Sequence, residues 1–170
     1  MIIDANFLEN LSDDLKKIVL DASEAIMQVY KKNTFNTEIK SDGSPVTEAD
    51  ENANKIIIKS LNIISPDISI VSEETYEKSA ETPQDPYWLV DPLDGTKEFI
   101  NRSNDFTVNI ALIEKGSPIY GIICAPVTGQ IWSGSSFHKS VPNENIDSTL
   151  RIVMSKSHQT KTDKEFLHYL

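Results

Sequence analysis

The sequence predicts an α+β domain with helices laid against one face of a largely antiparallel sheet. Two observations carry this. Residues 5–61 hold two stretches of helical hydrophobic period, and from residue 68 short apolar runs alternate with turn residues. Bulk composition agrees: 170 residues, 39% of them hydrophobic, are enough for one real core. No apolar run approaches the roughly 20 residues of a membrane span.

The elements follow in order. Residues 5–31 place Phe7, Leu11, Leu15, Ile18, Ala22, Ile26 and Val29 at spacings of three or four, one face of a long helix. Lys31 and Lys32 suit its C-terminal end. A second helix is expected from Thr47. Asp50 follows three residues later, as in a capping box with Asp in place of Glu, and Ala49, Ala53, Ile56, Ile57 and Leu61 form the apolar face. Ile68, Ile70 and Val71 predict a short strand that ends at Ser72-Glu73-Glu74. Residues 75–86, TYEKSAETPQDP, are polar with two prolines and read as a surface loop. Residues 87–90 form a strand, with Pro92 bending the chain outside it. Strands at 106–113, 119–125 and 130–134 are joined by Glu-Lys-Gly-Ser-Pro and Pro-Val-Thr-Gly, an antiparallel meander. A polar loop at 137–149, a strand at 150–154 and a short helix at 162–170 complete the expectation.

Charge and cysteine content narrow the function. A net charge of -10 argues against a nucleic-acid partner, which calls for basic patches. Small anionic substrates stay open, provided bound divalent cations reverse the local charge. Cys124 is the single cysteine, so no internal disulfide forms, which fits a reducing cytoplasm. The start of the chain, MIIDANFLENLSDD, has neither the basic region nor the apolar core of a signal peptide.

Chemistry concentrates in WLVDPLDGTKEF, residues 88–99. A buried strand runs into two carboxylates, Asp91 and Asp94, with Gly95 free to make a tight return. One reading is an Asx-type turn. The other is a site for Mg²⁺, which takes a few carboxylate oxygens plus water and substrate phosphate. The Leu93 carbonyl can join such a ligand set, and the Gly95 and Thr96 amides can hold a phosphate oxygen. Glu73 and Glu74 also end a strand. Taken alone they fit a solvated acidic turn, and Asp50 alone fits a helix cap.

Together, Asp-Gly-Ser-Pro-Val-Thr-Glu-Ala-Asp at 42–50, Val-Ser-Glu-Glu at 71–74 and the 88–99 stretch resemble the inositol monophosphatase superfamily. More narrowly they resemble its bacterial CysQ-type 3'(2'),5'-bisphosphate nucleotidases, because Lys-Glu-Phe follows Asp-Gly-Thr where inositol monophosphatases more often have Thr-Asn-Phe. The resemblance implies a sugar-phosphatase fold and Mg²⁺-dependent hydrolysis of a phosphate monoester, with two or three ions in the complete site. The implied substrate is a small phosphorylated nucleotide, 3'-phosphoadenosine 5'-phosphate, converted to AMP and phosphate in sulfate assimilation, with an inositol monophosphatase-type phosphatase as the alternative. Glu73, Asp91, Asp94 and the Leu93 carbonyl would ligate metal. Asp50 and Thr96 would orient and deprotonate the attacking water, and the Gly95 and Thr96 amides would hold the scissile phosphate. Ser155-Lys156-Ser157-His158 is similar to a Ser-Arg-Ser-His stretch near the nucleotide. Ser155 and His158 are therefore candidate nucleotide contacts, though His158 also reads as a surface-loop histidine, and Lys in place of Arg forfeits a bidentate fork. The resemblance implies a cytoplasmic protein and extends to peripheral attachment at the inner membrane.

The family pattern also includes a second domain with Trp-Asp-x-x-Ala-Gly. Neither Trp88 nor Trp132 is followed by Asp, so residues 1–170 are expected to be the N-terminal part alone. Weaker binding of one metal is then expected, with an inactive metal- and phosphate-binding fragment as the alternative. An open sheet edge there would favour self-association. Two other sites are excluded by spacing. The Asp-x-Asp-Gly-Thr of haloacid-dehalogenase-type phosphatases needs Asp where Pro92 stands, and the Asp91 loop lacks the alternating acids of an EF-hand.

Overall fold

The computed structural model describes residues 3–40, 45–76, 82–138, 160–162 and 166. Two compact units divide the chain, Met1–Lys139 and Ser140–Leu170. In the second, residues 161, 162 and 166 are helical, within the helix expected at 162–170 and one residue ahead of it. The expected strand at 150–154, Ser155, Lys156 and His158 all lie outside the described residues.

The first unit opens with α1, Ala5–Tyr30, capped by the Asp4 carboxylate, which accepts from the Phe7 amide at 2.8 Å. Leu11, Leu15, Ile18, Ala22, Ile26 and Val29 of the predicted stripe are buried. Two short strands, β1 (Thr37–Ile39) and β2 (Pro45–Thr47), pair antiparallel and deliver the chain to α2, Glu48–Ile64. The capping box at Thr47 and Asp50 forms as expected. Five further strands make one sheet in the order β3-β4-β5-β6-β7: Ser69–Ser72, Tyr87–Asp94, Thr107–Glu114, Ser117–Ala125 and Gln130–Ser135. β3 runs parallel to β4, and every other pair is antiparallel. A five-residue helix, α3 (Thr96–Ile100), follows β4.

Three expectations need correction. Pro92 does not end its strand: β4 continues through Asp91-Pro92-Leu93 to Asp94, with a break in register between Asp91 and Asp94. An irregular ladder leaves room for a residue without an N–H. β1 and β2 were not foreseen, and neither was α3, because elements of three to five residues carry no readable period.

α2 packs beside α1 and over β3 and β4, while α1 lies over β5 and β6. The inward residues of the strands, Trp88, Val90, Val108, Ile110, Leu112 and Ile122, are almost wholly buried against Leu15, Ile26, Ile57 and Leu61. Truncating such a leucine or isoleucine to alanine costs about 2–5 kcal/mol. Polar ties hold α2 in place on the sheet. Trp88 Nε1 donates to Ser65 Oγ at 2.8 Å, and Ser72 Oγ donates to Asn54 Oδ1 at 2.7 Å. α3 is clamped from behind. The Arg102 guanidinium stacks over the Tyr30 and Phe35 rings and donates to the Tyr30 and Lys32 carbonyls, while Phe99 packs among Tyr30, Phe35 and Phe106.

Candidate active site

β3 and β4 point the same way, so their C-terminal ends share one edge of the sheet. Ser72 is in register with Val90, which sets Glu73 beside Asp91, and the Glu73 amide donates to the Val90 carbonyl at 3.0 Å. In an unbroken strand Asp91 and Asp94, three apart, would face opposite sides. The break in register brings both within reach of one residue, Asn109 of β5. Asn109 is the register partner of Asp91, and its Nδ2 donates to Asp94 Oδ2 at 3.2 Å.

Gly95 turns the chain from β4 into α3 with a φ of +94°. A Cβ there would stand 2.8 Å from the Asp105 carbonyl oxygen and 3.3 Å from Phe106. Both the conformation and the space demand glycine. The turn presents the first amides of α3, groups for which a helix provides no internal acceptor. It also aims Thr96 at Asp50. Thr96 Oγ1 lies 3.0 Å from Asp50 Oδ1 and 3.2 Å from the Leu93 carbonyl, and its single proton serves one of them at a time.

Asp50 is fully buried. Its Oδ2 accepts from the Thr47 amide at 2.8 Å and from Thr47 Oγ1 at 2.6 Å. Burial pushes its pKa above the ordinary carboxylate value, and the donors from Thr47 and Thr96 only partly offset that. The helix-cap reading of Asp50 holds, and the same side chain also meets Thr96: one oxygen caps α2 and the other accepts from the Thr96 hydroxyl.

Asp91 is different. Its Oδ1 is buried and has no hydrogen-bond partner. Burial, then the charges of Glu73 and Asp94, push its pKa up to about 7. Among the described residues no three His, Cys, Asp or Glu side chains converge into a metal cage. A Mg²⁺ ion that keeps most of its water needs only one or two carboxylates. A buried carboxylate with an unpartnered oxygen, among other carboxylates, fits such a cation.

Lys40, which sequence reasoning missed, stands close by. Its ammonium bridges Glu73 at 2.8 Å and Glu74 at 2.9 Å. Burial pulls the Lys40 pKa down, but its hydrogen bonds and charge pairing with the two glutamates outweigh that and hold it above the ordinary value. Burial pushes Glu74 up, against the pull of Lys40. The signal that would have found Lys40 is its place just before the Asp42-Gly43-Ser44-Pro45 motif. Outward from these groups runs an open groove of about 660 Å³. Glu73, Asp91 and Asn109 line one part and Leu89, Ile123 and Trp132 another.

A model described as the inositol monophosphatase family matches residues 8–169. The chain belongs to the inositol monophosphatase family. Within that family it is 39% identical to the 3'(2'),5'-bisphosphate nucleotidase CysQ of Escherichia coli (strain K12), over 93% of this chain and 68% of that protein. It is 38% identical to CysQ of Buchnera aphidicola subsp. Acyrthosiphon pisum, over 95% and 65%. CysQ from Bacteroides thetaiotaomicron, a solved structure, superposes with a TM-score of 0.66 at 28% identity, over 93% of this chain and 68% of that one. The extragenic suppressor protein suhB from Bartonella henselae superposes with a TM-score of 0.67 at 26% identity, over 75% and 49%. The α+β inositol monophosphatase fold is thus established. The chain spans about two-thirds of the length of these CysQ relatives and half that of suhB. No helix among the described residues is long and apolar enough to cross a membrane.

Proposed function

We propose that this chain carries the metal- and phosphate-binding side of a Mg²⁺-dependent phosphatase acting on 3'(2'),5'-bisphosphate nucleotides. Its best substrate on this reading is 3'-phosphoadenosine 5'-phosphate, hydrolysed to AMP and phosphate. In this reading the chain is the N-terminal α+β domain of such an enzyme. The observation that carries the proposal is the pairing of a satisfied proton acceptor, Asp50 with Thr96, with the unsatisfied carboxylate of Asp91 one short turn away. The similarity to CysQ nucleotidases supports the nucleotide over an inositol phosphate.

Asp91, Glu73, Asp94 and the Leu93 carbonyl would hold the cation. When bound, Mg²⁺ supplies positive charge for the phosphate and lowers the pKa of nearby water. The protein's part is positioning and proton transfer. Thr96 Oγ1 orients a water and takes its proton while passing its own to Asp50 Oδ1. The raised pKa of Asp50 makes it a better acceptor than an ordinary aspartate. The Gly95 and Thr96 amides fix the phosphate oxygens for in-line attack, with no covalent intermediate on the chain. Lys40 must give up Glu73 for a cation to take it.

The test is phosphate release by the 170-residue chain from 3'-phosphoadenosine 5'-phosphate and from inositol 1-phosphate, with and without Mg²⁺. Mg²⁺-dependent release from the nucleotide alone is expected. Release from inositol 1-phosphate at an equal or higher rate would move the reading to an inositol monophosphatase-type enzyme. No Mg²⁺-dependent release from either would overturn the activity proposed for this chain.

A further inference from the structure

We infer that Asn109 is a positioning residue for the divalent cation: it fixes Asp94 with its amide N–H and offers its amide oxygen to the cation's water shell. The inference rests on the metal reading above. β5 reads TVNIALIE, and its inward residues Val108, Ile110 and Leu112 are buried against the helices. Asn109 sits in the outward row, opposite Asp91 on β4 and Ile123 on β6. Cross-strand partners share a face, so Asn109 and Asp91 present side by side toward the groove they both line.

The amide's orientation is set by its neighbour. A carboxylate accepts only, so the end of Asn109 facing Asp94 Oδ2 at 3.2 Å is the NH₂. The oxygen is then turned away from Asp94, buried and without a partner. Asp91 Oδ1 is buried and orphaned as well. Two unpaired acceptors on neighbouring strands call for donors, and the waters around a Mg²⁺ ion are donors. The orphaned oxygen is a cost to the metal-free fold that the one bond to Asp94 offsets only in part. A β-branched aliphatic suits the outward slot of a central strand better than an asparagine with an unsatisfied oxygen. Groups that orient metal-ligating carboxylates change metal affinity when removed, commonly by 10- to 100-fold.

The experiment is Mg²⁺ titration by calorimetry, with Mn²⁺ followed by electron paramagnetic resonance, on the unaltered chain, Asn109→Val and Asp91→Asn. Thermal unfolding of each metal-free protein is recorded alongside. We expect Asn109→Val to weaken cation binding about tenfold or more, with metal-free thermal stability unchanged or raised. Asn109→Thr gives the readout if the valine variant does not fold, with at least about a threefold loss expected, smaller than for valine because one hydroxyl remains. Cation affinity unchanged by either substitution, in a chain whose binding is lost on Asp91→Asn, would overturn the role of Asn109 and leave the metal reading intact. No cation binding by the unaltered chain would overturn both.

Discussion

Asp50 and Asp91 are both aspartates withdrawn from water, both raised in pKa by burial, and both within the same corner of the fold, yet their surroundings are opposite. Asp50 is wrapped by donors from Thr47 and Thr96, and each of its oxygens has a partner. Asp91 has an orphaned oxygen and acidic neighbours in Glu73 and Asp94. On the proposed reading the satisfied carboxylate serves the fold and proton transfer, and the unsatisfied one among like charges is the place for a cation. The difference suggests asking which acidic residue lacks a donor before counting how many there are.

Exchanging each acid for its amide tests the contrast most strongly. Asp91→Asn is expected to abolish Mg²⁺-dependent phosphate release, by roughly 100-fold or more, while the metal-free chain melts no lower because a repulsive charge is gone. Asp50→Asn is expected to cut the rate by about 10²–10⁴-fold. It should also destabilise the fold by about 1 kcal/mol, since charge-assisted bonds from Thr47 become neutral ones while the NH₂ turns to the Thr96 hydroxyl, which can accept it. Paired melting curves and rate assays decide it. Equal loss of stability in the two variants would erase the distinction.

Titration sharpens it next. The folded pKa of Asp91, about 7, lies above its ordinary value of 3.8. The folded chain therefore holds a proton that the unfolded chain releases between those values. By linkage this group makes the metal-free fold less stable as pH rises through that window, the protonated form being the favoured one. A cation competes with the same proton. Mg²⁺ affinity is expected to fall as pH drops below about 7, approaching tenfold per pH unit, with proton release on binding. Calorimetry in buffers of different ionisation enthalpy reads both. Affinity independent of pH from 5 to 8 would show that no carboxylate with so raised a pKa holds the ion.

The smallest effect belongs to Lys40. Its partner Glu73 is 48% exposed, so the pair is worth at most about 1 kcal/mol. Lys40→Met should tighten Mg²⁺ binding by no more than about fivefold. Weaker binding in that variant would mean that the ammonium organises the site instead of competing for it.

Much of this was legible in the sequence. The stripes of the two long helices, the Thr47–Asp50 box and the meander rest on period and capping, which are local. Glu73, Asp91 and Asp94 were legible as strand-end acids, and Asp50 only through its company. What escaped was decided by pairing between distant segments. Asn109 meets Asp91 only because β5 lies against β4 in one register, although a polar residue within FTVNIALI was its visible mark. The continuation of β4 past Pro92 escaped for the opposite reason: a strong local signal was overruled by the ladder around it.

The parallel pairing of β3 with β4 has a practical consequence. Two acid-bearing strand ends are brought together by strand direction and register. The ladder itself then sets Glu73 against Asp91. Residues inserted near Thr82 or Gln84 should be borne lightly, whereas removing a single residue from β3 would shift Glu73 away from Asp91 and turn its side chain to the other face. The placing of these acids is anchored in strand register, and the stretch around Thr82 and Gln84 is where a tag or a probe is expected to be tolerated.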